Sequence, residues 1–423
     1  SRFKLRTARC RDMANGSDDA ALRGATSLPH RLRNAPVKPV VGDSLRGFSM
    51  RPTGRMWQRA LRIGMIPADG IGREVLPVAQ RVMSAAPGAP PFEFVPLPAG
   101  FELFQKTGEA LPQVTIDTLK NECDGAMFGS VSSPSHKVEG YSSPIVRLRK
   151  ELGLYANIRP VSGPVLPGSP IKVPVDIVTI RENTECLYIK QETLEETPHG
   201  KVARAIRQIS ESASTRIGKK ALDVALARQA MRAAAGSAQQ TKVTICHKSN
   251  VLSVTDGLFR TSVRRVYDSD KREHGGHGRY EGLVLDEQLV DSMVYRMFRE
   301  PNVFDVVVAP NLYGDIISDG AAALVGSLGL VASVNAGDTF IMGEPVHGSA
   351  PDICGKNMAN PMAAVRSAAL MLEYMGYTEP ALAIYRAVDH VLVQGQAWTP
   401  DLPGGTATTS DVEAAILRAL QDS

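Results

Sequence analysis

Residues 61–67 form a short apolar run, Leu61-Arg-Ile-Gly-Met-Ile-Pro67, whose length suits a buried strand. A turn over 68–72 follows, and from 73 to 85 apolar residues recur at helical spacing. Residues 92–96 and 125–129 repeat the strand pattern, the second closed by Gly129. Helical spacing returns over 142–152, with Pro144 in the first turn, where a missing N–H costs nothing. Strands are predicted at 173–180, 242–246 and 304–310. Helices are predicted at 209–235, 251–268, 285–299, 361–374 and 380–393. The Pro/Gly-rich stretch 160–174 and the Gly-rich stretch 271–282 read as surface loops. This alternation predicts an α/β protein.

Composition narrows the class. Five scattered cysteines show no Cys-x-x-Cys or Cys/His spacing, so a disulfide framework or zinc site is not expected. No apolar run is long enough for a membrane span. The net charge of +4 hides an asymmetry. Residues 1–60 hold about 13 Lys/Arg and about 4 Asp/Glu, a local charge near +9, which leaves the remainder near −5. An Arg- and Ser-containing, acid-poor leader has the composition of a mitochondrial transit peptide, with a disordered tail as the alternative. An acidic body without a recognition motif argues against a nucleic-acid or membrane partner.

The segment Asn311-Leu-Tyr-Gly-Asp-Ile-Ile-Ser-Asp-Gly320 concentrates the chemistry. A helix here places Asp315 and Asp319, four residues apart, on one face. Two acids so placed repel unless a cation lies between them; a divalent ion with oxygen ligands would serve, and two solvated surface acids are the alternative. The preceding strand end is the usual ligand position in α/β folds. Arg149, Arg159 and Arg181 lie near strand ends or turns, where guanidinium groups can grip a small polyanion; any one alone is more often a surface ion-pair residue. Asp291, on an otherwise apolar helix, is either a cap or surface acid, or a ligand facing a site. The loop from Gly343 to Asp352 can expose backbone to a flat ligand, and Asp352 can accept both hydroxyls of a ribose; an ordinary surface loop is the alternative. No Gly-x-Gly-x-x-Gly follows the first strand, so a Rossmann site is not expected.

Several segments then carry a resemblance in order: Ile66-Pro-Ala-Asp-Gly-Ile-Gly72, Leu154-Tyr-Ala-Asn-Ile-Arg-Pro160, Arg181-Glu-Asn-Thr-Glu-Cys-Leu-Tyr188, His247-Lys-Ser-Asn-Val-Leu252, Asn311 to Gly320 and His347-Gly-Ser-Ala-Pro-Asp352. They resemble the β-decarboxylating dehydrogenases, which act on isocitrate, isopropylmalate, tartrate or homoisocitrate. The resemblance implies a two-domain α/β fold that is not Rossmann. A large cofactor domain would combine 61–153 with 325–423, and a small domain of 154–324 would carry the dimer interface and metal site. The active site would lie in the cleft between them.

It also implies roles. Arg149, Arg159 and Arg181, with Tyr141, Ser142 and Ser143, would bind a hydroxy tricarboxylate. Asp315 and Asp319, with the partner's Asp291, would hold Mg²⁺ or Mn²⁺. Lys248, also from the partner of a homodimer, would take the hydroxyl proton, and Tyr188 would return one. Asn250, Glu344, His347, Gly348, Ser349, Ala350, Asp352 and Asn360 would bind NAD. Loop 138–149 resembles that of the fungal homoisocitrate enzymes of lysine biosynthesis. Ile145 stands where the isocitrate enzymes have Asn. Isocitrate or isopropylmalate as substrate, and a non-catalytic regulatory subunit, are the alternatives. Ala68 departs from the family's Gly, at some cost if φ is positive there.

Overall fold

Twelve strands and eleven helices make up the described part of the chain, which in this computed structural model comprises residues 59–134, 136, 138–163, 173–273 and 277–422. The expectation of a cleaved leader falls on residues 1–58, outside the described residues. The strands are β1 Leu61–Ala68, β2 Phe92–Pro96, β3 Gly125–Ser130, β4 Ala156–Gly163, β5 Val175–Glu182, β6 Glu192–Thr197, β7 Gly200–Ala205, β8 Lys242–His247, β9 Val284–Leu289, β10 Val306–Ala309, β11 Val334–Ala336 and β12 Ile341–Gly343. The helices are α1 Gly72–Ala85, α2 Phe101–Thr107, α3 Gln113–Glu122, α4 Pro144–Glu151, α5 Glu211–Ala234, α6 Thr255–Glu273, α7 Val290–Arg299, α8 Asn311–Leu324, α9 Met362–Tyr374, α10 Thr378–Gln394 and α11 Thr409–Gln421.

Ten strands form one sheet in the order β2-β1-β3-β12-β11-β4-β5-β10-β8-β9. Both flanks are parallel, while β11 pairs antiparallel with β12 and β4, and β4 antiparallel with β5. The antiparallel centre distinguishes this sheet from a Rossmann sheet, as the missing Gly-rich fingerprint led one to expect. The first five strands of that order come from 61–153 and 325–423, the last five from 154–324. Continuous apolar strands such as β3 and β10 are buried along their whole length, the pattern of strands covered on both faces. Helices α1, α9, α10 and α11 pack together beside one half, and α5 and α6 beside the other. The hairpin β6–β7 stands apart, exposed on nearly every residue.

Several boundaries differ from the sequence expectation. Residues 285–289 are not helical: β9 occupies them, parallel to β8, and the helix begins only at Val290. An outer strand with one neighbour stays half-exposed and mixes Asp286, Glu287 and Gln288 with apolar residues, which blurs its period. Helix α6 starts at Thr255 rather than 251, because 249–254 turn beneath Lys248. Residues 160–163, expected as loop, finish β4, and 271–273 finish α6. Ala68 does have φ +55°, the left-handed region that costs a Cβ-bearing residue roughly 1–2 kcal/mol.

Candidate active site

In β4 and β5 side chains alternate between faces, so Asn157 and Arg159 share one face, and the register sets Arg181 directly across from Asn157. Helix α8 crosses this face immediately after the end of β10. It approaches so closely that a Cβ on Gly314 would lie 2.7 Å from both Cβ and Cγ of Arg181. Glycine is therefore required at 314.

The approach brings acids and arginines together. Arg181 pairs with Asp315 and donates from Nε to Asn311 Oδ1 at 2.9 Å. Arg159 reaches both acids, Asp319 Oδ1 at 2.8 Å and Asp315 Oδ1 at 3.4 Å. The two aspartates thus share a face, and a guanidinium lies between them. Arg149, in the last turn of α4, donates to Asn335 Oδ1 and Glu344 Oε2, each at 3.1 Å. Burial pushes Arg181 down to about 10, and the neighbouring Arg159 and Arg149 add to that push. It stays charged at neutral pH, in surroundings that favour added anions. Burial pushes the Asp315 carboxyl up, but Arg181 and Arg159, helped by the Tyr188 hydroxyl, hold it below its ordinary value. Burial lifts Asp319 above its ordinary value; Arg159 opposes this and the adjacent Asp315 reinforces it.

Tyr188 lies in a 3₁₀ turn, Leu187–Ile189, and donates to Asp315 Oδ2 at 2.5 Å. The Arg181 guanidinium lies over its ring, 5.1 Å from the centroid. Burial, with the hydrogen bond to Asp315, raises its hydroxyl to about 12, so it stays protonated and can act as an acid. Lys248 and Asp291 form a separate pair, Nζ to Oδ1 at 2.6 Å. That contact, first among the causes, holds Asp291 below the ordinary carboxylate range. Asp291 is in the first turn of α7. Among the described residues no three His, Cys, Asp or Glu side chains gather around a common point in one chain. Asp291 therefore does not complete a ligand set with Asp315 and Asp319 within a single chain.

The 343–352 segment leaves β12 as a loop with one 3₁₀ turn, Pro351–Ile353. Ser349 accepts the Ile71 N–H at its carbonyl, 2.9 Å, and the Ser132 hydroxyl at Oγ, 3.0 Å. This ties the loop to the first turn. His347 Nε2 is buried with no hydrogen-bond partner, and burial pushes this imidazole down, so it is neutral. Ala350 has φ +39°, while Gly348 and Asp352 are exposed. Glu344 faces Arg149 and Asn335. Asn360 accepts from Met362 N and donates to Asp401 at 3.1 Å, a fastening for α9. Asn250 is exposed beyond Lys248.

In the 138–149 loop, Tyr141 packs edge-on against Phe101 and Phe104, at 4.9 and 5.3 Å. Its hydroxyl donates to the Ser132 carbonyl at 3.2 Å, so Tyr141 orders the loop instead of presenting a free donor. Ser142 is exposed, Ser143 half-buried and Ile145 buried. Sequence reasoning missed the supporting amides: Asn335 Oδ1 accepts from Asn157 at 3.1 Å and Asn183 at 2.9 Å as well as from Arg149. Asn311 fixes Arg181, and Ser318 accepts from Arg159 at 2.8 Å. The pairing of strands distant in sequence creates this network, and no local spacing announces it.

Known proteins resemble this chain over most of its length. A family profile described as isocitrate/isopropylmalate dehydrogenase matches residues 62–416. The isocitrate/homoisocitrate dehydrogenase of Thermus thermophilus is 44% identical over 362 residues, covering 86% of this chain and 99% of that protein. The 3-isopropylmalate/3-methylmalate dehydrogenase of Methanocaldococcus jannaschii is 40% identical over 361 residues, 85% of this chain and 99% of the other. The crystal structure of isocitrate dehydrogenase from Methylococcus capsulatus superposes with a TM-score of 0.75 at 35% identity, covering 85% of this chain and 99% of that one.

Proposed function

The chain belongs to the isocitrate/isopropylmalate dehydrogenase family, and within it we propose an NAD-dependent homoisocitrate dehydrogenase that yields 2-oxoadipate and CO₂ in lysine biosynthesis. The family is one of β-decarboxylating, NAD(P)-dependent oxidoreductases that use a divalent metal and act on small hydroxy acids. The observation that carries the reaction class is the convergence of Arg149, Arg159 and Arg181 on the face that also holds Asp315, Asp319 and a protonated Tyr188. Three cations suit a substrate with several carboxylates. Overall identity does not choose the substrate, since relatives named for different hydroxy acids are similarly identical. The choice of homoisocitrate rests on the resemblance of loop 138–149, where half-buried Ser143 would meet a distal polar group; Ile145 itself is packed into the core.

The residues fit a divalent cation. Asp315 and Asp319 are hard oxygen donors on one face, and Asp319, lifted by burial and by its acidic neighbour, would gain from added positive charge. The third carboxylate would be the partner's Asp291, which is unavailable within one chain. The buried, partnerless His347 Nε2 and the exposed Asp352 fit an adenine nucleotide. When bound, the cation supplies Lewis acidity at the substrate's 2-oxygen, and NAD accepts the hydride.

This chain's own side chains would do the remainder. The arginines would fix the substrate so that its carbon–hydrogen bond points at the cofactor. The partner's Lys248 would take the 2-hydroxyl proton as the ketone forms, which makes the β-carboxylate a leaving group. Tyr188, kept protonated by burial and by Asp315, would donate its proton to the enol carbon after CO₂ departs. The cleft would lie between a lobe of 61–153 plus 325–423 and a lobe of 154–324. A homodimer sharing its sites is supported by exposed apolar residues on and around α7, α8 and the hairpin: Tyr295, Phe298, Ile316, Val254 and Leu194. The Arg-rich leader supports a mitochondrial matrix location.

The test is NADH formation by purified protein with homoisocitrate, isocitrate, isopropylmalate and tartrate. The highest kcat/KM is expected for homoisocitrate, and a clear preference for isopropylmalate or isocitrate would overturn the assignment. A regulatory subunit would reduce no cofactor with any of them.

A further inference from the structure

We propose that Arg207 is a positioning residue for Lys248, and that through it Arg207 serves the active site of the partner subunit. The proposal rests on the shared-site homodimer put forward above. Arg207 follows the last residues of β7, at the base of the exposed hairpin. Its own side chain is only 12% exposed. Its Nη2 lies 2.8 Å from Oδ1 of Asp256, a side chain with no exposed surface in the first turn of α6. The other oxygen of Asp256 accepts the backbone N–H of Lys248 at 2.6 Å. The Lys248 carbonyl in turn accepts the N–H groups of Val251 and Leu252, both at 2.9 Å. One buried carboxylate thus holds the root of the lysine, and one guanidinium faces that carboxylate. A buried carboxylate left without its counter-charge is destabilised where it stands, and the Lys248 turn it holds would move with it.

Arg207 has a second neighbour. Its guanidinium lies over the ring of Tyr313, 4.4 Å from the centroid, in the first turn of α8. Helix α8 carries Asp315 and Asp319, which would serve the subunit's own site, whereas Lys248 would serve the other. Arg207 therefore stands between two elements assigned to different active sites. The contact on the lysine side is a charged pair whose carboxylate also accepts the Lys248 N–H, and the contact on the α8 side is the neutral Tyr313, whose ring lies under the guanidinium and whose hydroxyl reaches Arg207 and Asp256. Removing the charge should therefore be felt mainly at the lysine.

Replacing Arg207 with Met should lower kcat tenfold or more while KM for the hydroxy acid changes less than about threefold, because the three arginines that hold the substrate are untouched. Arg207→Lys keeps the charge and loses the flat stack, so it should recover most of kcat; it also serves if Arg207→Met does not fold. The decisive experiment uses hybrid dimers purified through two different tags, one subunit Asp315→Asn and the other carrying the variant under test. A hybrid of Asp315→Asn with Lys248→Met should recover about half the wild-type activity, since one of its two sites has every group intact. Asp315→Asn with Arg207→Met should recover the same fraction. If the lysine hybrid is active and the Arg207 hybrid is dead, Arg207 acts on its own site through α8 and the proposal falls. If neither recovers activity, the shared-site homodimer itself is wrong and the proposal goes with it. Near-normal kcat in Arg207→Met alone would also overturn it.

Discussion

Replacing Gly314 with Ala tests the geometry of the site without removing any functional group. The added Cβ would lie 2.7 Å from Cβ and Cγ of Arg181 and 3.2 Å from its Cα. Ordinary carbon contacts begin near 3.5 Å, so helix and strand must separate by roughly 0.8 Å, or Arg181 must swing aside. Neither is easy: Arg181 is 2% exposed, with Nε held by Asn311 and Nη1 by Asp315. A misplacement of about 1 Å costs on the order of 100-fold in rate, equivalent to about 2.7 kcal/mol. Stability should suffer less. Overpacking costs about 1–3 kcal/mol, and the helix regains up to about 1 kcal/mol when Gly becomes Ala, a net loss of roughly 0–2 kcal/mol. Steady-state kinetics and thermal melting on the same preparation separate the two. A drop near 100-fold in kcat/KM with a well-folded protein is expected, and equal for homoisocitrate and malate, because Arg181 would grip the part they share. Activity within threefold of wild type would refute the close approach of α8 to Arg181.

Asp315→Asn should lower turnover by orders of magnitude at limiting Mg²⁺, and it should also destabilise the protein, since Arg181 and Arg159 lose the carboxylate between them. The folded Asp315 carboxyl is held below its ordinary value, so its stabilisation is present above the unfolded pKa of about 3.9 and disappears as pH falls through the lower folded value. The melting difference between wild type and variant should shrink accordingly in that acid range; a constant difference would contradict the pairing. NAD should be preferred to NADP by at least tenfold in kcat/KM if Asp352 accepts the ribose hydroxyls and repels a 2′-phosphate, and equal use of both would refute that. Ala68→Gly should raise the melting temperature slightly, because relief of the left-handed strain at φ +55° exceeds the roughly 0.4–1 kcal/mol entropy cost of the glycine; a lower melting temperature would count against it.

Spacing along the chain places side chains on a helix face more readily than it places strands in a sheet. Asp315 and Asp319 could be placed on one face because helical spacing alone dictates it, and Ala68 could be questioned because a turn's backbone constrains its residues. What spacing could not supply was the partner of each charge. Arg159 between the two aspartates, and Asn335 beneath Arg149, Asn157 and Asn183, depend on β4 meeting β5 and β11 across long stretches of chain. Short central strands such as β11 and β12, three residues each, hold too few positions to show a period. The outer position of β9 leaves a mixed pattern that does not distinguish strand from helix. The reach of the Tyr141 hydroxyl to the Ser132 carbonyl likewise has no local signal.

The most direct measurement is the joint yield of reduced nucleotide and CO₂ from homoisocitrate, with EDTA and then with excess Mg²⁺. One NADH per CO₂, no turnover in EDTA and recovery on adding the metal are expected. NADH without CO₂, or turnover that survives removal of divalent cations, would contradict the assignment of Asp315, Asp319 and the three arginines to a metal-assisted oxidative decarboxylation.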